Sequence, residues 1–337
     1  MGLWLALRPS PPRPPLIVGV DDDTLKWTAF PLTVVRQERA LGADAVRVWV
    51  PWNGEASPTG VRRVELSRAE TAARRTEVVL AVFDFGARTP ARPAAQTRFC
   101  GYAARALALV PDARAVVVWN EANSRAYWRA GAAAYERLLA RCYDTLHAQR
   151  RSVTVLDSTA SAHSPGAFLG AVAAAYRASG RRTPIVDAFG HNPYPRTSAE
   201  SPAATHASSF IGEGDYARLA AALAGGFAGT AQKSRDVWYL EDGFQSSVPR
   251  GLAGHYGGSE TAVTVTPRLQ ARWLRDALLL AACQPTVRAF FNFELVDETR
   301  LAGWQSGLIW RGDRAKPAAP AFAAAARSSR GGCRAHP

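Results

Sequence analysis

Residues 116–123 read VVVWNEAN, an apolar run that ends abruptly in an amide and a carboxylate. Its β-branched residues predict a buried strand, which would deliver Asn120 and Glu121 at its carboxyl end. A second apolar run, 237–240, reads VWYL and is followed in the same way by Glu241. The two runs therefore predict a glutamate at the equivalent ends of two strands, at the rim of a sheet, where burial can tune the pKa of a carboxyl group.

The pattern around these two runs predicts the fold. Short runs rich in β-branched and apolar residues recur with helical stretches between them, which is typical of repeated strand–helix units and a parallel sheet. Their spacing of roughly 30 to 50 residues holds a strand, a helix and two loops. The runs begin near Leu16, Ala45, Glu77, Ala115, Ser152, Ile185, Asp236 and Arg288. Eight such units close a (β/α)8 TIM barrel of the α/β class.

The chain length of 337 residues suits a single barrel domain. We predict this barrel over residues 16–325, a proline-rich lead-in over 1–15 and a C-terminal tail over 326–337. The helical pattern is clearest at residues 95–110, 130–149, 165–179, 216–228 and 267–283. The longest connections follow a strand, where loops build the functional face of a barrel. They span 195–215, 245–266 and 294–305.

An open, doubly wound sheet is the alternative topology, and it should show a glycine-rich phosphate turn after an early strand. The first run instead gives VGVDDD at 18–23. Three aspartates would repel a phosphate, so the sequence disfavours a nucleotide site. Metal binding by these aspartates is a further alternative, but the sequence favours a loop of solvated acids.

Composition and charge narrow the class of protein. Hydrophobic residues make up 47% and charged residues 20%, as in soluble globular proteins. No apolar run reaches the roughly 18 residues that a membrane span needs. The net charge is +13, but the arginines are scattered along the whole chain, unlike a basic patch that binds nucleic acid. We expect neither a nucleic acid nor a membrane as a partner.

The compartment is predicted less directly. Residues 2–7 are apolar but shorter than the core of an export signal, and the proline-rich stretch 9–15 follows them. No export signal is visible in the chain. We nevertheless expect an extracellular or periplasmic protein whose signal has been trimmed off.

The four cysteines lie far apart without the Cys-x-x-Cys spacing of a structural zinc site. Two interpretations are open. The cysteines are buried free thiols, or Cys100 pairs with Cys142 and Cys283 with Cys333, each bond joining helices that would be neighbours in the barrel. An exported protein could use both bonds.

The run Trp119-Asn120-Glu121, Glu241 at the end of the seventh strand, and the pattern of eight units resemble glycoside hydrolase clan A. This clan comprises (β/α)8 retaining hydrolases, of which families 5 and 39 are typical. The resemblance extends from about residue 16 to residue 316. It implies that Glu121, after an asparagine on the fourth strand, is the acid/base, and that Glu241 is the nucleophile.

The chemistry agrees with that assignment. A retaining mechanism needs two carboxyl groups about 5 to 5.5 Å apart, one protonated and one ionised. Strands four and seven face each other across a barrel mouth, where like charges raise the pKa of one partner. Two alternatives stay open. Glu121 could be a carboxylate at a helix N-terminus, and Asp242 could replace Glu241, because strand alternation aims only one of that pair inward.

The resemblance implies roles for four further polar residues. Asn120 would bind the sugar 2-hydroxyl, and Arg47, a charge in an otherwise apolar strand, would support the nucleophile. In FGHNPYP at 189–195, His191 would line the sugar site and Tyr194 would donate to the nucleophile, although the clan often separates such a pair by one residue. The structural alternatives are a capping asparagine, a salt bridge elsewhere and a proline-bounded turn.

Aromatic residues are expected against the sugar. The clan usually carries a tryptophan on the eighth strand, which FFNFE at 290–294 lacks, so Trp304 or Trp310 could replace it. Trp49 and Trp52, like Trp27, follow early strands, where flat apolar sugar faces could stack on them. The alternative for about half of these tryptophans is core packing.

Taken together, the sequence predicts a monomeric retaining glycoside hydrolase that cleaves β-linked oligo- or polysaccharides without a cofactor. A transglycosylase with the same site is one alternative, and a barrel that binds glycans without catalysis is another. A barrel isomerase or aldolase is disfavoured, because Glu241-Asp242-Gly243 puts acids where such enzymes bind phosphate.

Overall fold

The sheet is a nearly closed ring of parallel strands. The computed structural model describes residues 14–85, 88–158 and 160–333. In this part of the chain neighbouring strands follow one another in sequence, and the last also pairs with the first. The eight barrel strands are β1 (Ile17–Asp21), β2 (Ala45–Pro51), β3 (Glu77–Phe83), β4 (Ala115–Val118), β5 (Thr154–Asp157), β6 (Phe189–Asn192), β7 (Val237–Asp242) and β8 (Val287–Phe293). The predicted (β/α)8 barrel is confirmed.

Among the described residues, the ring has its sparsest pairing between β5 and β6. There it closes through a short strand, Ala160–Ser161, that pairs with β6, and through a bridge between Leu156 and Ala188. Ser158 follows β5. We call the described residues of this part, 156–158 and 160–161 with β6, the seam.

Helices alternate with the strands. Several of them carry proline in the first turn, where its missing N–H costs no hydrogen bond and its φ angle suits a helix. None of the described helices has both the length and the apolarity needed to cross a membrane. The helices are α1 (Thr24–Trp27), α2 (Pro31–Ala40), α3 (Gly60–Ala73), α4 (Pro93–Leu109), α5 (Ala132–Gln149), α6 (Pro165–Ala178), α7 (Tyr216–Gly226), α8 (Pro267–Cys283) and α9 (Ala318–Ser329).

The strands are buried on both faces, as a parallel sheet covered by helices requires. All four residues of β4 are fully buried, and so are most residues of β2 and β3. Arg47 lies in the middle of β2 and has no exposed surface. A buried guanidinium needs a charged partner, and this one finds its partners at the top of the barrel.

The C-terminal region departs from the predicted boundary. Helix α9 packs against α8 and continues to Ser329, so the segment predicted as a tail, 326–337, begins inside a helix. The alanine-rich stretch 318–326, in the first part of α9, hid the helical periodicity of this region. The predicted lead-in, 1–15, lies outside the described residues except for its last two positions, and so do residues 334–337.

Both disulfide bonds are present, so the cysteines are not free thiols. Cys100 of α4 bonds to Cys142 of α5, with their Cα atoms 4.8 Å apart. Cys283 at the end of α8 bonds to Cys333, which follows α9, with a Cα separation of 4.4 Å. The bonds therefore join neighbouring helices of the outer ring.

We predict that replacing Cys100 and Cys142 together by serine lowers the free energy of unfolding by about 2–5 kcal/mol, because the bond restricts the unfolded chain. Guanidinium denaturation followed by circular dichroism measures this loss. Replacing only the exposed Ser67 by alanine is the control and should change little. Four titratable thiols in the oxidised, denatured protein would contradict both bonds.

Candidate active site

The predicted residues meet in a cavity at the carboxyl ends of the strands. Its volume is about 540 Å³. Strands β2, β4 and β7 and the loops after β6 and β8 supply predicted site residues to its lining, which are Trp49, Asn120, Glu121, Tyr194, Glu241 and Trp304. The carboxyl ends of barrel strands are where active sites form in this fold.

An unusual backbone turn after β4 orients the side chain of Glu121. Trp119 has a φ of 76° and Glu121 a φ of 39°, in the left-handed region that residues other than glycine seldom occupy. Ser158 of the seam fixes this turn, since its Oγ accepts a hydrogen bond of 3.1 Å from the backbone N–H of Glu121. The side chain of Asn192 donates to Oε1 of Glu121 at 3.0 Å.

The surroundings favour the protonated form of Glu121. Burial, and then the negative charge of Glu241, raise its pKa to about 7, while the hydrogen bond from Asn192 opposes the shift. The carboxyl group therefore carries a proton below about pH 7 and loses it as the pH rises through that value.

Glu241 has the opposite environment. Nη1 of Arg47 lies 2.8 Å from its Oε1, and the hydroxyl of Tyr194 donates to its Oε2 at 3.4 Å. The same Nη1 is 2.5 Å from Asp21 Oδ2, so one buried guanidinium joins two carboxylates. Burial and the negative charges of Glu241 and Asp21 raise the pKa of Tyr194, which keeps the phenol a proton donor.

Asn120 links the two glutamates. Its Oδ1 accepts a long hydrogen bond from Nη2 of Arg47 at 3.4 Å and one from Oγ of Ser158 at 3.5 Å. The Arg47 bond connects it to the partner of Glu241, and the Ser158 bond connects it to the turn that holds Glu121. Asn120 is therefore held within the site rather than capping a helix.

The structure places Glu241, and not its neighbour Asp242, in the cavity. Glu241 lines the cavity with Glu121, whereas Asp242 is buried on the other face of β7, close to Glu213. Burial raises the pKa of Asp242 to about 8, and its charge contributes to the raised pKa of Glu213. Asp242 therefore faces away from the cavity that Glu121 lines.

Aromatic rings form one wall of the cavity. Trp304 lies 4.9 Å from the ring of Tyr194 and 5.2 Å from that of Phe293, measured between centroids. Trp49 stacks on Phe293 at 6.1 Å. Phe293 therefore lies at the end of the eighth strand, where the clan resemblance called for a tryptophan, while Trp310 is buried away from the cavity.

Two predicted residues, both in the described part of the chain, lie elsewhere. Trp52 is 4% exposed, packs edge-on against Phe99 and donates to the carbonyl of Glu55 at 2.8 Å, so it belongs to the core. His191 is 1% exposed, and its Nε2 lies 3.0 Å from the carbonyl of Ile211. Because successive side chains of a strand point to opposite faces, His191 points away from the cavity and Asn192 points to Glu121.

The sequence analysis missed or misplaced several site residues. Asp21 was expected in a loop of solvated acids, but it ends β1, is 2% exposed and accepts a hydrogen bond of 3.2 Å from Nε1 of Trp49. Asp23 is likewise paired, with Lys26 at 2.9 Å. Asn192 could have been predicted, because it lies two residues before Tyr194 and such residues of a strand share a face. No sequence pattern marked Ser158.

In the described part of the chain, no group of three or more His, Cys, Asp or Glu is arranged to hold a metal ion.

Comparison with known proteins identifies the barrel at the level of its fold. No family model and no curated protein matches the chain. A family 39 glycoside hydrolase from the gut symbiont Bacteroides cellulosilyticus WH2 has a TM-score of 0.66 at 18% identity; the match covers 93% of this chain and 64% of that protein's length. A GH5_18 protein from Streptomyces cattleya in complex with GlcNAc gives 0.64 at 19%, covering 94% and 81%.

An exo-β-1,4-mannosidase from Opitutaceae bacterium strain TAV5 has a TM-score of 0.64 at 15% identity, and the match covers 94% of this chain and 60% of the mannosidase. The neighbours thus include members of families 5 and 39, the two families that the sequence pattern resembles. The chain therefore has the same (β/α)8 barrel fold as these glycoside hydrolases.

We predict that Arg47→Met lowers the free energy of unfolding by about 3–5 kcal/mol, because Asp21 and Glu241 would remain buried without their cation. Chemical denaturation measures the loss. The control is Arg74→Met, which removes an exposed ion pair with Glu70 and should cost less than about 0.5 kcal/mol. Equal losses for the two variants would contradict the importance of the buried guanidinium.

We further predict that the carboxyl carbon of Glu121 titrates with a midpoint of about 7 in carbon-13 NMR. Glu241→Gln should lower this midpoint, since it removes a neighbouring negative charge, and burial should keep it above the ordinary value. Asp242→Asn is the matched control, because Asp242 lies on the other face of β7. A midpoint that does not move in Glu241→Gln would show that the two carboxyl groups do not interact.

Proposed function

We propose that this protein is a retaining glycoside hydrolase that cleaves β-linked glycans, with Glu121 as the acid/base and Glu241 as the nucleophile. One observation carries the proposal: two carboxyl groups share a cavity but have opposite environments. Glu121 is partly buried and its pKa is raised to about 7, whereas Glu241 is paired with Arg47. Carboxyl groups of opposite protonation are what a two-step glycoside hydrolysis requires.

In the first step, a carboxylate oxygen of Glu241 attacks the anomeric carbon while Glu121 gives its proton to the departing glycosidic oxygen. The glycosidic bond breaks, and an ester joins the sugar to Glu241. In the second step, Glu121 takes a proton from water, the resulting hydroxide attacks the same carbon, and Glu241 leaves as a carboxylate. Two inversions give net retention.

The charge arrangement lets Glu121 change roles between the steps. The negative charge of Glu241 is one of the two causes that raise the pKa of Glu121. That charge disappears when the ester forms, so the pKa of Glu121 falls and the group becomes a base. It rises again when the ester is hydrolysed.

The other residues that line the cavity bind the sugar or orient Glu241. Asn120 is placed to accept a hydrogen bond from a sugar hydroxyl or to donate one to it, and such a bond accelerates the reaction if it strengthens in the transition state. Tyr194 and Arg47 position Glu241. Trp49, Phe293 and Trp304 offer apolar ring faces and edges to the C–H face of a sugar.

The structural neighbours support a carbohydrate substrate. Their printed descriptions include an exo-β-1,4-mannosidase and GH5_18 proteins in complex with GlcNAc and with Manβ1-4GlcNAc. By analogy we propose a β-linked oligo- or polysaccharide as substrate. The presence of both carboxyl groups disfavours a barrel that only binds glycans, and a transglycosylase would share the first step and differ in the acceptor.

We also propose that the protein works as a monomer in an oxidising compartment, extracellular or periplasmic. The two disulfide bonds support the oxidising compartment, because such bonds persist outside the reducing cytosol.

We predict that Glu241→Gly abolishes hydrolysis of 2,4-dinitrophenyl β-glycosides and that added azide restores partial turnover, because the small anion occupies the space of the missing carboxylate and attacks the anomeric carbon. Proton NMR of the product should show the α-glycosyl azide, the result of a single inversion. Glu121→Ala with azide should instead give the β-azide.

Asp242→Gly is the control for this experiment, because its side chain lies on the opposite face of β7. Azide should not change its product. Rescue at Asp242 instead of Glu241 would overturn the assignment, and a β-azide from Glu241→Gly would overturn the mechanism.

A further inference from the structure

A second cavity, of about 490 Å³, adjoins the one that contains the two glutamates. Trp49, Phe85, Phe293 and Glu298 line both cavities. The two cavities are therefore two parts of one depression on the carboxyl face of the barrel, divided by a wall of aromatic rings.

Both glutamates line the first cavity, which extends toward the loops after β5 and β6 through His163 and Phe210. The second cavity is lined from the ends of β1, β2 and β8. Among its lining residues is Asp21, which shares the guanidinium of Arg47 with Glu241. Because a general acid must face the leaving group, a cavity on the side away from Glu121 suits the sugar units that precede the one bonded to Glu241.

The lining of the second cavity has an exposed aromatic ring and an unused polar atom. Trp27 at the rim is 66% exposed. Glu294 follows β8 with a φ of 82°, and its Oε2 is buried without a hydrogen-bond partner among the described residues. By contrast, the oxygens of Asp22 accept from the backbone N–H groups of Thr24 and Leu295. A buried carboxylate oxygen without a donor is unfavourable, so this environment favours the protonated acid, while the rest of the Glu294 side chain lines the cavity.

The protonation state of Glu294 suits hydrogen bonding to a hydroxyl group. Burial, and then the charges of Glu298 and Asp22, raise the pKa of Glu294. A protonated carboxyl group both donates and accepts hydrogen bonds, as a sugar hydroxyl does. The indole of Trp27 offers a flat apolar face for the C–H side of the same ring.

The charges of the second cavity favour an uncharged sugar. Asp21, Asp23 and Arg62 are already paired with residues beside them. The remaining lining charges are nearly balanced, and they belong to Asp22, Glu294, Glu298, Arg300 and Arg311. An acidic sugar would meet at least as many carboxyl groups as arginines.

We propose that the second cavity binds a neutral sugar unit that precedes the cleaved unit on the non-reducing side, with Trp27 as its platform and Glu294 as its hydroxyl partner. The enzyme then releases products of two or more sugars from that side, rather than single sugars. This inference rests on the proposed hydrolase function.

The test uses matched 4-nitrophenyl β-glycosides of one and two sugars: glucoside and cellobioside, mannoside and mannobioside, xyloside and xylobioside. On the best-cleaved series we expect kcat/KM for the two-sugar glycoside to exceed that for the one-sugar glycoside at least about tenfold, with the intact disaccharide as product. Trp27→Ala and Glu294→Gln should each reduce this ratio by about tenfold.

Phe30→Ala is the matched control, because Phe30 is 73% exposed, lies three residues from Trp27 and is not among the described residues that line the cavity. It should leave the ratio unchanged. Equal kcat/KM values within each pair, release of single sugars, or a ratio that neither variant reduces would overturn the inference while leaving the hydrolase function intact. If no glycoside is cleaved, and azide rescue of Glu241→Gly also fails, the proposed function falls and this inference falls with it.

Discussion

The guanidinium of Arg47 is the charge on which the rest of the site depends. It lies in β2, whose other residues are apolar, and it has no exposed surface. Asp21 and Glu241 approach one of its nitrogens, and Asn120 approaches the other. These partners come from β1, β7 and the end of β4. One buried cation thus holds three strand ends of the ring at fixed positions, and Glu241 cannot turn away without losing the cation that it shares with Asp21.

The two glutamates act as a pair because their surroundings differ. Glu121 receives an amide donor and no cation, whereas Glu241 receives a cation and a phenol. The difference follows from the neighbours of each side chain: Glu121 lies beside Asn192, and Glu241 lies beside Arg47 and Tyr194. Two chemically identical side chains therefore meet different electrostatic surroundings in one cavity.

Much of this arrangement is readable from the sequence, because strand alternation and helical periodicity are local properties. The runs before Glu121 and Glu241 predicted two strand ends that the structure brings into one cavity. Because alternate residues of a strand share a face, a strand that directs Tyr194 into the cavity also directs Asn192 there and directs His191 away from it. Asp21 was misread because its partner Arg47 is 26 residues away and meets it only through the register of β1 and β2. Trp52 was misread because the chain leaves β2 at Pro51, and no local pattern shows which way it turns.

The seam gives the two halves of the site unequal mechanical support. Glu121 depends on Ser158 and Asn192, which belong to the seam, where the described residues pair through a two-residue strand and one isolated bridge. Glu241 is held instead by the buried Arg47 and by Tyr194, beside a register shift between β7 and β8. Under the proposed mechanism, loosening of the seam alone would disturb proton delivery by Glu121 and leave the Arg47–Glu241 pair in place. A barrel loosened in this way would still form an ester with substrates whose leaving groups depart without protonation, and would no longer cleave ordinary sugar linkages.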